Sequence, residues 1–137
     1  MSYGLRKNAV VFIIHDKGQY LFLKRSHTGY GDGLYMFPGG HVEEGEMPLA
    51  AAVRELKEEL GITVQPDNLT FLHVQTTLTH TVFFWHVDAF CGRIINAEPN
   101  KHDEIVFLSK NDDQIPPSIR QVIACFEQGI YYSEKRE

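Results

Sequence analysis

The stretch "GGHVEEGEMPLAAAVRELKEELGI", residues 39–62, constrains the fold of this chain more than any other. From Pro48 to Leu60 the apolar residues Ala52, Val53, Leu56 and Leu60 recur at helical spacing and form one stripe. Pro48 suits a first helical turn, and Gly61 suits the left-handed position just past the end. The stripe must face a core, and that fixes the rotation of the helix. Glu55, Glu58 and Glu59 then lie together on one flank, partly accessible. Like charges at such spacing repel by roughly 0.2–0.5 kcal/mol per pair. Either the flank is a solvated face, with Arg54 pairing to Glu58 four residues on, or a divalent cation gathers the carboxylates. They are the hard oxygen ligands that Mg²⁺ prefers.

With 137 residues, 43% of them hydrophobic, the chain reads as one domain over 1–137. Such a domain buries roughly two-thirds of the surface its unfolded chain exposes and needs no staple. Cys91 and Cys125 lie far apart without CxxC spacing and read as reduced thiols in a cytoplasmic protein. No apolar run approaches the ~20 residues of a membrane span, and "MSYGLRKNAVVFIIH" reads as a first strand with no cleavage site. A formal charge of -5 argues against a nucleic-acid polymer as partner, but not against a small phosphorylated ligand held through a cation. Monomer and homodimer both stay open.

Along the chain, "AVVFIIH" and "QYLFLKR" are β-rich runs around "DKG" and suggest a hairpin. In "THTVFFWHVDAF" the residues Phe83, Trp85, Val87 and Ala89 alternate onto one apolar face. "LTFLHVQTTL" precedes it as its expected partner, and "EIVFL" is a further short strand. A second helix spans Pro117 to Gln128, with Ile119, Val122, Ile123 and Phe126 inward and Gly129 as its stop. Several strands with two helices give an α+β chain, a mixed β-sheet sandwiched between helices.

The spacing inside the opening segment narrows the choice between the two readings of the glutamates. Gly40 is followed after five residues by Glu46, then after seven by Arg54-Glu55-Leu56. One residue later come Glu58-Glu59, and after one more Gly61-Ile62. This resembles the Nudix box, a loop–helix–loop signature, at every specified position over residues 40–62. The flanks are similar too: a preceding hairpin, "FPGG" leading into the box, and a helix after "IPP".

The resemblance implies the Nudix fold, an α/β/α sandwich. It also implies a Mg²⁺-dependent hydrolase (Mn²⁺ as substitute) that cleaves nucleoside diphosphates linked to another group. The metal ligands would be Glu55, Glu58, Glu59 and the carbonyl of Gly40, reached through the tight "PGG" turn. Arg54 would orient a box carboxylate, and Glu46 would brace the loop against the helix. The general base would be Glu55, Glu59 or a downstream glutamate such as Glu104, with Glu98 and Asp103 as lesser rivals. Arg25 would meet the substrate phosphates, with Lys101 as the alternative, while strand alternation turns Lys24 to the opposite face. Gly39, Tyr35 and Phe37 complete the substrate-side candidates. Tyr30 and Tyr35 are expected to line an accessible cleft, and Phe37, Phe84 and Trp85 are candidates for stacking on a base. His41 and His86 are scattered histidines without paired metal spacing.

The most similar branch hydrolyses oxidised guanine nucleoside triphosphates and can read the base with an asparagine just after the "IPPS" segment, where Ile119 stands here. The expected substrate is therefore a nucleoside triphosphate such as dGTP, dCTP or an oxidised analogue, cleaved to monophosphate and pyrophosphate. A catalytically silent nucleotide-sensing module is the alternative. The stretch "NAEPNKHDEIVF" has no local spacing that decodes its role.

Overall fold

The computed structural model describes residues 6–136. The N-terminal run forms β1 (Lys7–Ile13), and the chain then passes through β2 (His15–Asp16) into β3 (Gln19–Arg25). Lys17 and Gly18, at the turn, both have positive φ, 51° and 80°, the left-handed pair that a two-residue hairpin needs. The expected hairpin around the turn forms over its first residues, His15 opposite Tyr20 and Asp16 opposite Gln19, with Leu21 N–H on the Ile14 carbonyl. Further from the turn the two runs part, and β1 pairs with β5 and β7 while β3 pairs with β4 and β8.

Two short strands follow: β4 (Tyr35–Met36), antiparallel to β3, and β5 (Gly39–His41), antiparallel to β1. Gly39 is what lets β5 lie so close to β1. A Cβ there would stand 2.4 Å from the Val10 carbonyl oxygen.

The helix α1 (Pro48–Leu60) has the bounds expected from its stripe. Ala51, Ala52, Leu56 and Leu60 are fully buried, and trimming a leucine in such a place to alanine costs about 2–5 kcal/mol. Gly61, at φ 71°, closes the helix with its N–H on the Lys57 carbonyl. A side chain there would also meet Ile95 at 2.8 Å.

The rest of the chain adds β6 (Leu69–Thr76), β7 (His80–Val87), β8 (His102–Ser109), α2 (Pro117–Glu127) and β9 (Tyr132–Glu134). One sheet runs β5-β1-β7-β6-β9, with β1–β7 and β6–β9 parallel and the other pairs antiparallel. The second places β3 between β8 on one side and β2 and β4 on the other. Alternation splits the strands between two cores. Val10, Phe12, Leu21 and Leu23 pack with α1, while Ile13, Phe22, Phe37 and Phe84 pack with Ile119, Val122 and Ile123 of α2. The sheets are therefore covered by a helix on each side. In β7, Phe83, Trp85 and Val87 do share the α1 side, but Phe84 is buried on the other side and Ala89 lies beyond the strand, exposed. No helix among the described residues is long and apolar enough to cross a membrane.

Candidate active site

Two adjacent glycines bring β5 against α1. Phe12 N–H donates to the Pro38 carbonyl and Val42 N–H to the Asn8 carbonyl. In the antiparallel alternation this makes Val10–Gly40 a hydrogen-bonded pair and turns the N–H and C=O of Gly39 away from β1, toward α1. Gly39 N–H accordingly donates to Glu59 Oε1 at 2.7 Å. Gly40 serves by what it lacks: its Cβ would fall 2.2 Å from the carboxyl carbon of Glu55. The outward backbone carbonyl is thus that of Gly39, a correction to the expectation for Gly40 drawn from the box.

Arg54 ties the loop to the helix. Its Nε and Nη2 donate to the two oxygens of Glu46 at 2.8 and 2.9 Å. Nη2 also reaches the His41 carbonyl at 3.0 Å. Nη1 donates to Glu55 Oε1 at 2.9 Å and to Glu58 Oε2 at 3.1 Å. The paired guanidinium lowers the Glu46 pKa to about 2. Two-point pairing of this kind fixes geometry as well as charge.

The other carboxylates are less well compensated. Burial raises the pKa of Glu55, and Arg54 only partly opposes it. Burial pushes Glu59 up to about 8 against the Gly39 N–H, with Glu55 and Glu98 adding to the rise. Glu59 is 5% exposed. Glu58, by contrast, leaves half of its side chain in solvent.

A loop completes the group. The Glu59 and Leu60 carbonyls, at a helix end that leaves them without intrahelical partners, accept from Ala97 and Ile95 N–H at 3.1 and 2.9 Å. Glu98 is thereby delivered to the helix. Its own carbonyl accepts from Lys101 and His102 N–H, at 2.9 and 3.2 Å, and curls the chain back toward β3. Glu59, Glu98 and His102 then offer ligand atoms within 4.8 Å of one another. Lys101 Nζ sits 3.2 Å from Glu98. An anionic, partly desolvated group of oxygen donors with so little cationic partner is what a divalent cation fits.

Several candidates stand elsewhere. Glu104 is exposed on β8 opposite Lys24 of β3, and accepts from the Tyr35 hydroxyl at 3.0 Å. Asp103 is exposed in the register shift between His102 and Glu104. Tyr35 and Phe37 do not line an accessible cleft: both are buried in the α2-side core, where Phe37 stacks on Phe22 at 4.9 Å. Phe84 is buried there as well, and Trp85 packs against the α1-side core with its edge to Phe71. Tyr30 is exposed, with Arg25 lying over its ring and donating to its carbonyl at 2.8 Å. Arg25 still borders the group, since its charge helps hold down the pKa values of His41 and His102, after burial. Lys24 reaches over the Tyr35 ring. His86 pairs with Asp88, and His41 lies near His80.

Sequence reasoning set Glu98 below Glu104 and did not weigh His102, and the structure brings both beside Glu59. Their placement depends on the tie between the 95–97 loop and the end of α1, a tertiary contact with no local spacing.

A profile of the NUDIX domain matches residues 4–124. A protein named 8-oxo-dGTP diphosphatase, from Escherichia coli (strain K12), is 33% identical over 118 residues, covering 85% of this chain and 92% of that protein. Phosphatase NudJ of the same strain is 28% identical over 131 residues, covering 90% and 84%. Among solved structures, the MutT NUDIX hydrolase from Burkholderia pseudomallei superposes with a TM-score of 0.77 over 88% of this chain and 97% of that one; at 23% identity it speaks to the fold. With the domain match spanning most of its length, the chain belongs to the NUDIX family and is a Nudix hydrolase, an enzyme acting on phosphorus anhydrides.

Proposed function

We propose that this protein is a divalent-metal-dependent nucleotide pyrophosphatase, with all 137 residues as one catalytic unit. It converts a small nucleoside triphosphate to monophosphate and pyrophosphate by attack of water on phosphorus. The observation that carries this reading is the anionic group of Glu55, Glu59 and Glu98 facing the outward carbonyl of Gly39. Those residues would hold Mg²⁺ or Mn²⁺, with Glu58 at the exposed margin. The ion, when bound, neutralises the diphosphate oxygens and makes water a better nucleophile.

The chain's own residues supply the rest. Arg54 fixes one oxygen of Glu55 through Nη1 and leaves Oε2 without a hydrogen bond among the described residues, free to take a proton from water. Burial favours that role, since it raises the proton affinity of Glu55. Beyond Arg54, Lys101 at 3.2 Å from Glu98 and Arg25 opposite His102 are the cations that border the group, and they would meet the phosphates. Glu104 is excluded as base in this reading, because it serves Tyr35 on the second sheet.

For the substrate, the similarity to a protein named 8-oxo-dGTP diphosphatase supports a purine nucleoside triphosphate, canonical or oxidised. Ile119 is buried among the α2-side core and offers no polar atom to a base, so discrimination of an oxidised base must come from other residues.

The test is a screen of nucleoside triphosphates, oxidised analogues, dinucleoside polyphosphates, ADP-ribose and nucleotide sugars with Mg²⁺ and Mn²⁺, detecting phosphate and pyrophosphate separately. Monophosphate with pyrophosphate as products is the expected result. Silence across the panel, with metal still bound by the folded protein, would sink the pyrophosphatase reading in favour of a sensor.

A further inference from the structure

His102 is 5% exposed, yet its imidazole makes no hydrogen bond among the described residues. Its Nδ1 is buried without a partner, and its Nε2 stands 3.7 Å from Glu59 Oε2. That separation is too long for a hydrogen bond. A buried imidazole beside a buried carboxylate would ordinarily close to 2.7–3.2 Å, so the gap calls for an explanation.

The surroundings point the same way. Ser26 Oγ and Asn96 Oδ1 are also buried without partners, and both residues are held to the same stretch of backbone. Ser26 N–H donates to the Lys101 carbonyl at 2.8 Å, and Asn96 Nδ2 to the His102 carbonyl at 2.7 Å. Unsatisfied buried polar atoms are rare in folded proteins, and a local concentration of them calls for a water or an ion to partner them.

The local chain explains why His102 is aimed inward. The turn at Glu98 sets His102 four residues on, and the register shift opposite Lys24 and Arg25 isolates Asp103 as the extra, exposed residue. His102 therefore begins β8 on the buried side, with Glu98 and Glu59 as its neighbours.

We propose that His102 supplies an imidazole nitrogen to a divalent cation held jointly with Glu59 and Glu98, and that this mixed nitrogen–oxygen set favours Mn²⁺ over Mg²⁺. Carboxylates and carbonyls suit Mg²⁺, whereas imidazole moves preference toward first-row transition ions. The inference rests on the metal-dependent reading above and sharpens it by naming the ligand that sets metal choice.

The test is pulsed electron paramagnetic resonance on the Mn²⁺-loaded full chain, prepared with natural-abundance histidine and with ¹⁵N-labelled histidine. A histidine nitrogen coupling that changes with the label, persists in His41→Gln and vanishes in His102→Gln is the expected result. In parallel, His102→Gln should bind Mn²⁺ at least ~10-fold more weakly, since losing even an outer-shell partner of a metal ligand typically costs 10–100-fold. Its Mg²⁺ affinity should change less. The labelled wild-type spectrum decides the matter even if His102→Gln does not fold. Bound Mn²⁺ without histidine coupling would overturn this inference and leave the pyrophosphatase reading standing. Failure to bind either ion would overturn both.

Discussion

Replacing Glu59 by glutamine should make the metal-free protein more stable at alkaline pH while removing its metal-dependent turnover. The side chain is 5% exposed and accepts one hydrogen bond, from Gly39 N–H, which a glutamine oxygen can equally accept. Burial lifts its pKa from 4.5 to about 8. Folded protein thus keeps a proton that the unfolded chain has released, and stability falls as pH rises from about 4.5 to about 8. At about 1.4 kcal/mol per tenfold change in proton affinity, the full difference is roughly 5 kcal/mol, an upper limit that relaxation around the charge reduces. His41 and His102 work in the opposite sense: their pKa values are lowered, so they destabilise the fold as pH falls below their ordinary 6.5. Both histidines are present in wild type and variant, and although His102, 3.7 Å from Glu59, is coupled to it, their protonation acts below pH 6.5 and not on the trend toward pH 9. Urea denaturation in a chelator between pH 5 and 9 is the assay, comparing wild type with Glu59→Gln. The gap should widen in the variant's favour by at least ~2 kcal/mol toward pH 9, and saturating Mg²⁺ should restore the wild type alone. A gap that stays within about 0.5 kcal/mol across the range would refute the claim that Glu59 carries a desolvated charge.

Four further substitutions probe separate parts of the site and its support. Gly40→Ala places a methyl 2.2 Å from the Glu55 carboxyl carbon, so we expect about 1–3 kcal/mol of destabilisation with loss of metal affinity, read by thermal melting and by metal titration. Glu98→Gln should lower kcat at least ~100-fold and Glu104→Gln by less than about threefold, in line with contributions of roughly 10²–10⁴ from groups acting directly on the reaction. Equal losses in the two would move Glu104 back into the site. His73, fully buried, bonds the Ile130 carbonyl and Ser133 Oγ at 2.7 Å each and so pins β9 to β6. His73→Leu should leave the Ile130 carbonyl without its imidazole partner and Ser133 Oγ with Gln75 alone, at about 1–3 kcal/mol, with faster hydrogen exchange across Tyr132–Glu134 than in the rest of the sheet.

How much of this was legible beforehand followed from whether a contact is local. The helix α1 came out with its observed bounds because stripe, proline and terminal glycine all lie within its own segment. The strands β4, β5 and β9 were not foreseen, since two or three residues carry no periodicity. Tyr35 reads as a cleft residue because it lies in the loop before the box, but it is buried with Phe37 in the α2-side core, and Met36 packs against the same core. The hairpin around "DKG" forms next to its turn, which is local, but it extends no further along the two runs, because the competition for strand edges depends on segments far away in sequence. Glu98 depends on the 95–97 loop closing the end of α1, and nothing near it in sequence announces that.

One signal in the sequence does separate the box carboxylates, and it explains why adjacent glutamates differ so widely. Ala52, Leu56 and Glu59 stand at positions i, i+4 and i+7, and seven residues of an α-helix return to within about 20° of the starting direction. Glu59 therefore occupies a core position of the apolar stripe, one that a leucine would ordinarily fill. Glu58 lies about a hundred degrees round the axis, and the structure leaves 52% of its side chain exposed against 6% for Glu59. A carboxylate at a stripe position destabilises the fold unless something charged meets it inside, and Arg54 is already bound to Glu46, Glu55 and Glu58. An interior partner therefore has to come from outside the helix: Gly39 N–H supplies one hydrogen bond, and without a cation the carboxyl keeps its proton up to about pH 8. The same desolvation that weakens the empty fold is what gives a bound cation its electrostatic strength.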